Sequence, residues 1–127
     1  MRLTREEFEE AVIAALKELP KFFKKKMKNV DVVVESMAPS DLLSEMGLRS
    51  PLELLGLYQG VPLGQRGFYY GNVLPDKITL FEVPIETLCE TKDEVKEKVK
   101  EVVVHEVGHY FGLSDEKLRI LERGGKD

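Results

Sequence analysis

The chain of 127 residues has no tryptophan, one cysteine and two histidines. A lone cysteine, Cys89, cannot form an internal disulfide, so the chain is not a disulfide-stapled miniprotein and a reducing compartment is expected. No apolar run approaches the roughly 20 residues that a membrane span needs. The opening residues, MRLTREEFEE, are charged where a secretory signal would be apolar. A cytoplasmic protein with no membrane partner is the expectation. An excess of positive charge is lacking as well: 19 Lys and Arg stand against 23 Asp and Glu, a net charge of −4. The field that draws phosphate backbones is absent, which argues against nucleic acid as a partner. The one cationic cluster, KFFKKKMK from Lys21 to Lys28, follows a helical stretch and reads as a complement to that helix's C-terminal dipole. Asn and Gln are scarce (Asn29, Asn72, Gln59, Gln65) beside abundant Lys and Glu, a bias of heat-adapted proteins.

What the chain does have is a hydrophobic fraction of 43% in helix-like and strand-like periods, enough for one α+β domain spanning residues 1–127. Leu3 to Leu19 reads as an amphipathic helix. Phe8, Val12, Leu16 and Leu19 recur at helical spacing, Thr4 and Glu7 form a capping box, and Leu3 can staple onto Phe8. Pro20 interrupts this pattern, which resumes through Met27. NVDVVVES from Asn29 predicts a strand, and SDLLSEMG a short helix capped by Ser40 and ended by Gly47. Leu52 to Gly60 predicts a second strand, followed by a loop, VPLGQRG. Gly67 to Val83 predicts a hairpin with arms FYY and KITLFEV. A short IETL turn leads to Thr91, whose box partner Glu94 opens a long helix.

Both histidines lie on that helix, in VVVHEVGHYFGLSDE from Val102 to Glu116. Val95, Val99, Val103, Val107 and Tyr110 follow helical spacing, which overrides the strand preference of three consecutive valines. In a strand His105 and His109 would stand about 13 Å apart. In a helix their Cβ atoms are about 5–6 Å apart, a separation that lets two imidazoles share one ion. Glu106 is rotated about 100° from His105 and is free to face water instead of the ion. HEVGH is the H-E-x-x-H pattern, in which two histidines bind zinc and the glutamate acts as general base.

A catalytic zinc takes three protein ligands and keeps one position open. With no third histidine, the candidates are an acid, Cys89, or a group from another chain. Gly112 suits the left-handed position that ends a helix, so the chain can turn back and bring Asp115 toward the same ion. Asp115 is the favoured third ligand, although it also suits the N-cap of a last helix, Asp115 to Arg123, and Glu116 and Glu122 compete for the ligand role. The resulting H-E-x-x-H-x-x-G-x-x-D has the metzincin spacing with aspartate in the final position.

LLGLYQGVPL, LPDKITLFE and HEVGHYFGLSDEKL together resemble the minimal zincins, a bacterial family of very small zincin-like metallopeptidase domains; the resemblance runs from Val30 to Leu121. It implies a zincin-like fold, a small mixed sheet packed on the active-site helix with flanking helices. It also implies zinc held by His105, His109 and Asp115, with Glu106 as general base. No methionine follows the motif, so a Met-turn like that of metzincins is not expected. The expected function is zinc-dependent hydrolysis of a peptide or protein by a monomer or weak oligomer. The rival is an inactive zinc-binding module that engages a partner. Tyr58, Tyr69 and Tyr70 are candidate oxyanion donors by chemistry, KITLF a candidate edge strand for substrate, and Gly64 and Gly67 flank a loop that could border the cleft.

Overall fold

Thr4 opens the first helix. Its hydroxyl accepts from the Glu7 amide at 3.1 Å, and the Glu7 carboxylate accepts from the Thr4 amide at 2.9 Å, completing the expected box. In the computed structural model, which describes residues 1–61 and 75–122, helix α1 runs Arg5–Lys17 and buries Phe8, Val12 and Ala15. Pro20 breaks it as expected. The pattern resumes as α2 (Lys21–Lys26) and a 3-10 turn (Met27–Asn29) before strand β1 (Val30–Glu35). Helix α3 spans Ser40–Glu45, with Pro39 rather than Ser40 in the cap position and no side-chain cap bond, so Ser40 is the first helical residue and not the cap.

The second strand is shorter than predicted. Ser50, Pro51 and Glu53 set up a capped 3-10 turn (Pro51–Glu53), because the fixed φ of proline favours a helical first position, and β2 is left with Gly56–Gln59. Strand β3 runs Asp76–Phe81 and stops short of the predicted Val83. The next segment, Glu82–Thr87, is helix α4, with Pro84 in its first turn where a missing amide costs nothing. Helix α5 (Lys92–Tyr110) begins at Thr91, whose hydroxyl accepts from the Glu94 amide at 3.1 Å; α6 spans Asp115–Glu122. The first arm of the predicted hairpin with Tyr69 and Tyr70, the loop containing Gly64 and Gly67, and the side chain of Glu122 lie outside the described residues. Among those described, no helix is long and apolar enough to cross a membrane.

The sheet order is β1-β3-β2. β3 pairs parallel with β1 from Val30↔Asp76 to Glu35↔Phe81, and antiparallel with β2 from Gly56↔Leu80 to Gln59↔Lys77. KITLF is therefore the central strand and not an edge. Its composition fits that place: Ile78 and Leu80 are buried on one face, Thr79 and Phe81 on the other, the pattern of a strand covered on both sides. The main core lies between one sheet face and helices α1 and α5, where Phe8, Val12, Ile78, Leu80, Val95, Val99, Val103 and Val107 meet. A smaller cluster, Ala38, Leu43, Leu54 and Phe81, covers the other face. Cys89 is buried in the main core as a small apolar side chain, and burial raises its thiol pKa.

Ion pairs join α1 to the α5 region: Lys92 to Glu7 at 2.8 Å, and Lys96 and Lys100 to Glu18 at 2.8 and 3.1 Å. Arg5 ties three elements together, with Nε 2.7 Å from Glu82 and donations to the Val34 carbonyl and the Ser36 hydroxyl. One turn beyond Glu82, Glu86 is 5% exposed, and its Oε2 has no hydrogen-bond partner among the described residues. Burial, then the hydrogen bond and negative charge of Glu82, push the Glu86 carboxyl up to about 7. The folded chain thus holds this proton more tightly than the unfolded chain. The stability it contributes is full below about pH 4.5 and is lost as pH rises through about 7. Glu86→Gln should therefore raise the melting temperature by several degrees near pH 8 and leave it little changed near pH 4, which thermal melts across that range will read.

Candidate metal centre

Helix α5 emerges from the core at its C-terminal end. Val102, Val103, Val104 and Val107 are buried, whereas His105 is 45% and His109 54% exposed at the side chain. The sequence ends the helix by a Schellman turn. Gly112 takes φ +78°, its amide donates to the His109 carbonyl at 3.0 Å, and the Leu113 amide donates to the Gly108 carbonyl at 2.8 Å. A non-glycine residue carries a steric cost at such a φ, so glycine at 112 sets the direction in which the chain leaves.

That direction returns α6 against α5. Ser114 caps α6: its hydroxyl accepts from the Lys117 amide at 3.2 Å and its carbonyl from the Leu118 amide at 2.9 Å. Asp115 is thereby the first helical residue rather than the N-cap that was its alternative role, and its carboxylate turns to the imidazoles. Asp115 Oδ1 stands 3.2 Å from His109 Nε2 and 4.0 Å from His105 Nδ1, and the two ring nitrogens are 3.5 Å apart. Among the described residues these three form the one group of His, Cys, Asp or Glu side chains able to hold a metal, with donor atoms within 4.8 Å of one another. Donors about 2 Å from a tetrahedral zinc lie about 3.3 Å apart, so the two imidazoles and the carboxylate fit that ion in spacing and in chemistry. Neither Glu116 nor Cys89 belongs to the group.

Glu106 points elsewhere, as its rotation on the helix requires. It is half-buried beside β2, where Oε1 accepts from the Tyr58 amide at 3.3 Å. Burial raises its carboxyl pKa, while the Tyr58 amide and then the imidazoles of His109 and His105 pull it down. A cleft of about 220 Å³ opens between β2 and α5, lined in part by Gly56, Lys98, Glu101, His105 and Glu106. A second of about 350 Å³ joins His105 and Asp115 to Arg119 of α6.

Tyr58 itself is buried, and its hydroxyl donates to Asp76 Oδ2 at 2.7 Å, the role of a packed strand aromatic. Its ring stacks on Tyr110 at 4.1 Å, and Phe111 completes the cluster with Lys26 4.7 Å above its ring. Tyr110 was predicted on the buried stripe; it is 46% exposed because the helix has already left the core at His109. The amide of Tyr58 and the side chain of Arg119 were absent from the sequence-based site. A backbone donor carries no residue-type signal, and Arg119 enters only through the return of α6.

Residues 27–125 match the zincin-like metallopeptidase family. The chain belongs to that family. Among solved structures it is similar to a conserved hypothetical protein from Thermo thermophilus, with 23% identity over 91% of this chain and 97% of that one and a TM-score of 0.49. No curated protein matches the sequence significantly.

The Schellman turn generates a direct expectation. A Cβ at Gly112 would meet nothing within 4 Å, so the cost of Gly112→Ala is conformational alone. It should destabilise the metal-free protein by about 1 kcal/mol in urea unfolding, and Gly112→Asn, which tolerates the left-handed region, should cost less.

Proposed function

We propose that this protein is a zinc-dependent peptidase in which His105, His109 and Asp115 hold the metal and Glu106 is the general base. One observation carries this reading: three ligand atoms of the right kinds converge within 4.8 Å, one residue away from a half-buried carboxylate that is not among them. A purely structural zinc takes four protein ligands, and a fourth does not accompany these three among the described residues. Bound there, zinc supplies Lewis acidity, making water acidic enough to give up a proton near neutral pH and polarising a carbonyl.

The chain's own groups do the rest. Glu106 takes the proton from water and later returns it to the leaving amine. The Tyr58 amide orients the carboxylate from outside the metal shell. The substrate lies in an extended form along β2, the outermost strand on this side among the described residues, in the cleft that reaches His105 and Glu106. The whole operates as one domain in the cytoplasm.

The protein should bind about one zinc per chain, and His105→Ala or His109→Ala should abolish this, read by metal analysis after dialysis. Asp115→Ala should weaken the affinity substantially and Glu116→Ala should not, since loss of a ligating carboxylate removes both a bond and a negative charge beside a dication. Unchanged stoichiometry in both histidine variants would overturn the reading.

Glu106→Gln keeps the size of the side chain and removes the base. Zinc content and fold should persist while hydrolysis of a proteome-derived peptide library falls at least about a hundredfold. Equal residual cleavage by wild type and Glu106→Gln would favour the inactive zinc-binding module instead.

A further inference from the structure

His105, Gly108 and His109 stand at positions i, i+3 and i+4 of α5 and share one face. Asp115 and Leu118, three apart, share one face of α6. The two faces meet. Leu118 is 1% exposed and seats on Gly108: a Cβ built at 108 would overlap Leu118 Cδ2 and lie 3.0 Å from Cγ. A side chain at 108 would require Leu118 to shift, and Leu118, enclosed in the main core, has little room to turn aside without α6 moving with it.

The same seam carries the ligand geometry. Asp115 lies one turn before Leu118 on a helix of eight residues, so a displacement of Leu118 moves the carboxylate with it. The Gly108 carbonyl also accepts from the Leu113 amide at 2.8 Å, so the notch and the chain reversal are built on one residue. The 3.2 Å and 4.0 Å separations from Asp115 to the imidazoles leave little slack before a third bond to a single ion is lost.

We infer that Leu118, seated in the notch left by Gly108, is a positioning residue for the third ligand, so that metal affinity is governed by an apolar contact outside the coordination shell. This rests on the metal reading above and adds to it the contact that makes Asp115 a ligand. It also gives the fourth position of H-E-V-G-H a physical role that neither zinc chemistry nor helix propensity supplies: glycine there costs helix stability by roughly 1 kcal/mol relative to alanine and returns a closer approach of α6.

The test measures cobalt affinity by competition with a chromophoric chelator, together with the visible spectrum of the cobalt-loaded protein. Gly108→Ala should weaken affinity at least about tenfold, within the range that groups supporting a metal ligand contribute, and should reduce the intensity of the tetrahedral d–d bands. In an Asp115→Ala background the same substitution should have an effect of no more than about twofold, because the ligand it positions is gone. Adding Leu118→Val to Gly108→Ala should restore part of the affinity by vacating the space the new methyl needs. Should Gly108→Ala fold poorly, Leu118→Ala, which removes the contact without adding atoms, should show the same non-additivity with Asp115→Ala. Wild-type affinity in Gly108→Ala, or an equal loss with and without Asp115, would overturn the inference alone. A wild-type protein that binds no cobalt would overturn the metal reading and this one together.

Discussion

The burial of one face of helix α5 is the constraint on which the other features depend. Val95, Val99, Val103 and Val107 form a stripe that the sheet and α1 cover completely, and this fixes the helix's rotation about its own axis. Rotation decides everything at the far end. With Val103 and Val107 turned inward, His105 and His109 emerge on a half-exposed flank, and Glu106 is directed at β2. A rotation of one residue would bury an imidazole and send the carboxylate into solvent. Hydrophobic packing over four turns therefore sets chemistry that occupies the last one.

The second requirement is that a short helix fold back onto this flank. Glycines at 108 and 112 meet it by different physics, one through the absence of a side chain at a close approach and the other through a left-handed backbone. Ser114 then takes the capping duty that would otherwise engage Asp115. The division of labour leaves each polar side chain of the segment with one principal task, which is how a segment this short can bring three candidate ligands together.

Much of this was legible from residue order. The capping box at Thr4, the N-cap at Thr91, whose box partner Glu94 accepts instead from the Glu90 amide, the break at Pro20 and the reversal at Gly112 depend on local chemistry that the sequence displays directly, and the H-E-x-x-H spacing is meaningful only on a helix. The interior position of KITLF was not legible. Strand order depends on which segments pair across long separations, and β3 pairs in parallel with β1 residues 46 positions earlier, which no turn signal announces. The hydrogen bond from the Tyr58 amide to Glu106 was equally hidden, since it links residues 48 apart through a backbone group. The convergence of His105, His109 and Asp115 could be read because they are near one another in the chain; the surroundings that tune Glu106 were missed because they are not.

That contrast separates two events in the protein's history as it folds. All three candidate ligands fall within eleven consecutive residues, and the Leu118–Gly108 contact that seats α6 lies beside them in the chain, so their convergence is local in sequence. The Glu106 carboxylate, in contrast, gains its orientation only when β2 has docked, a long-range closure that carries the greater entropic cost. A chain caught midway would hold the three candidate ligands together beside an unsteered glutamate. On the proposed reading, metal content would report on the last quarter of these residues, and catalytic competence on all of them.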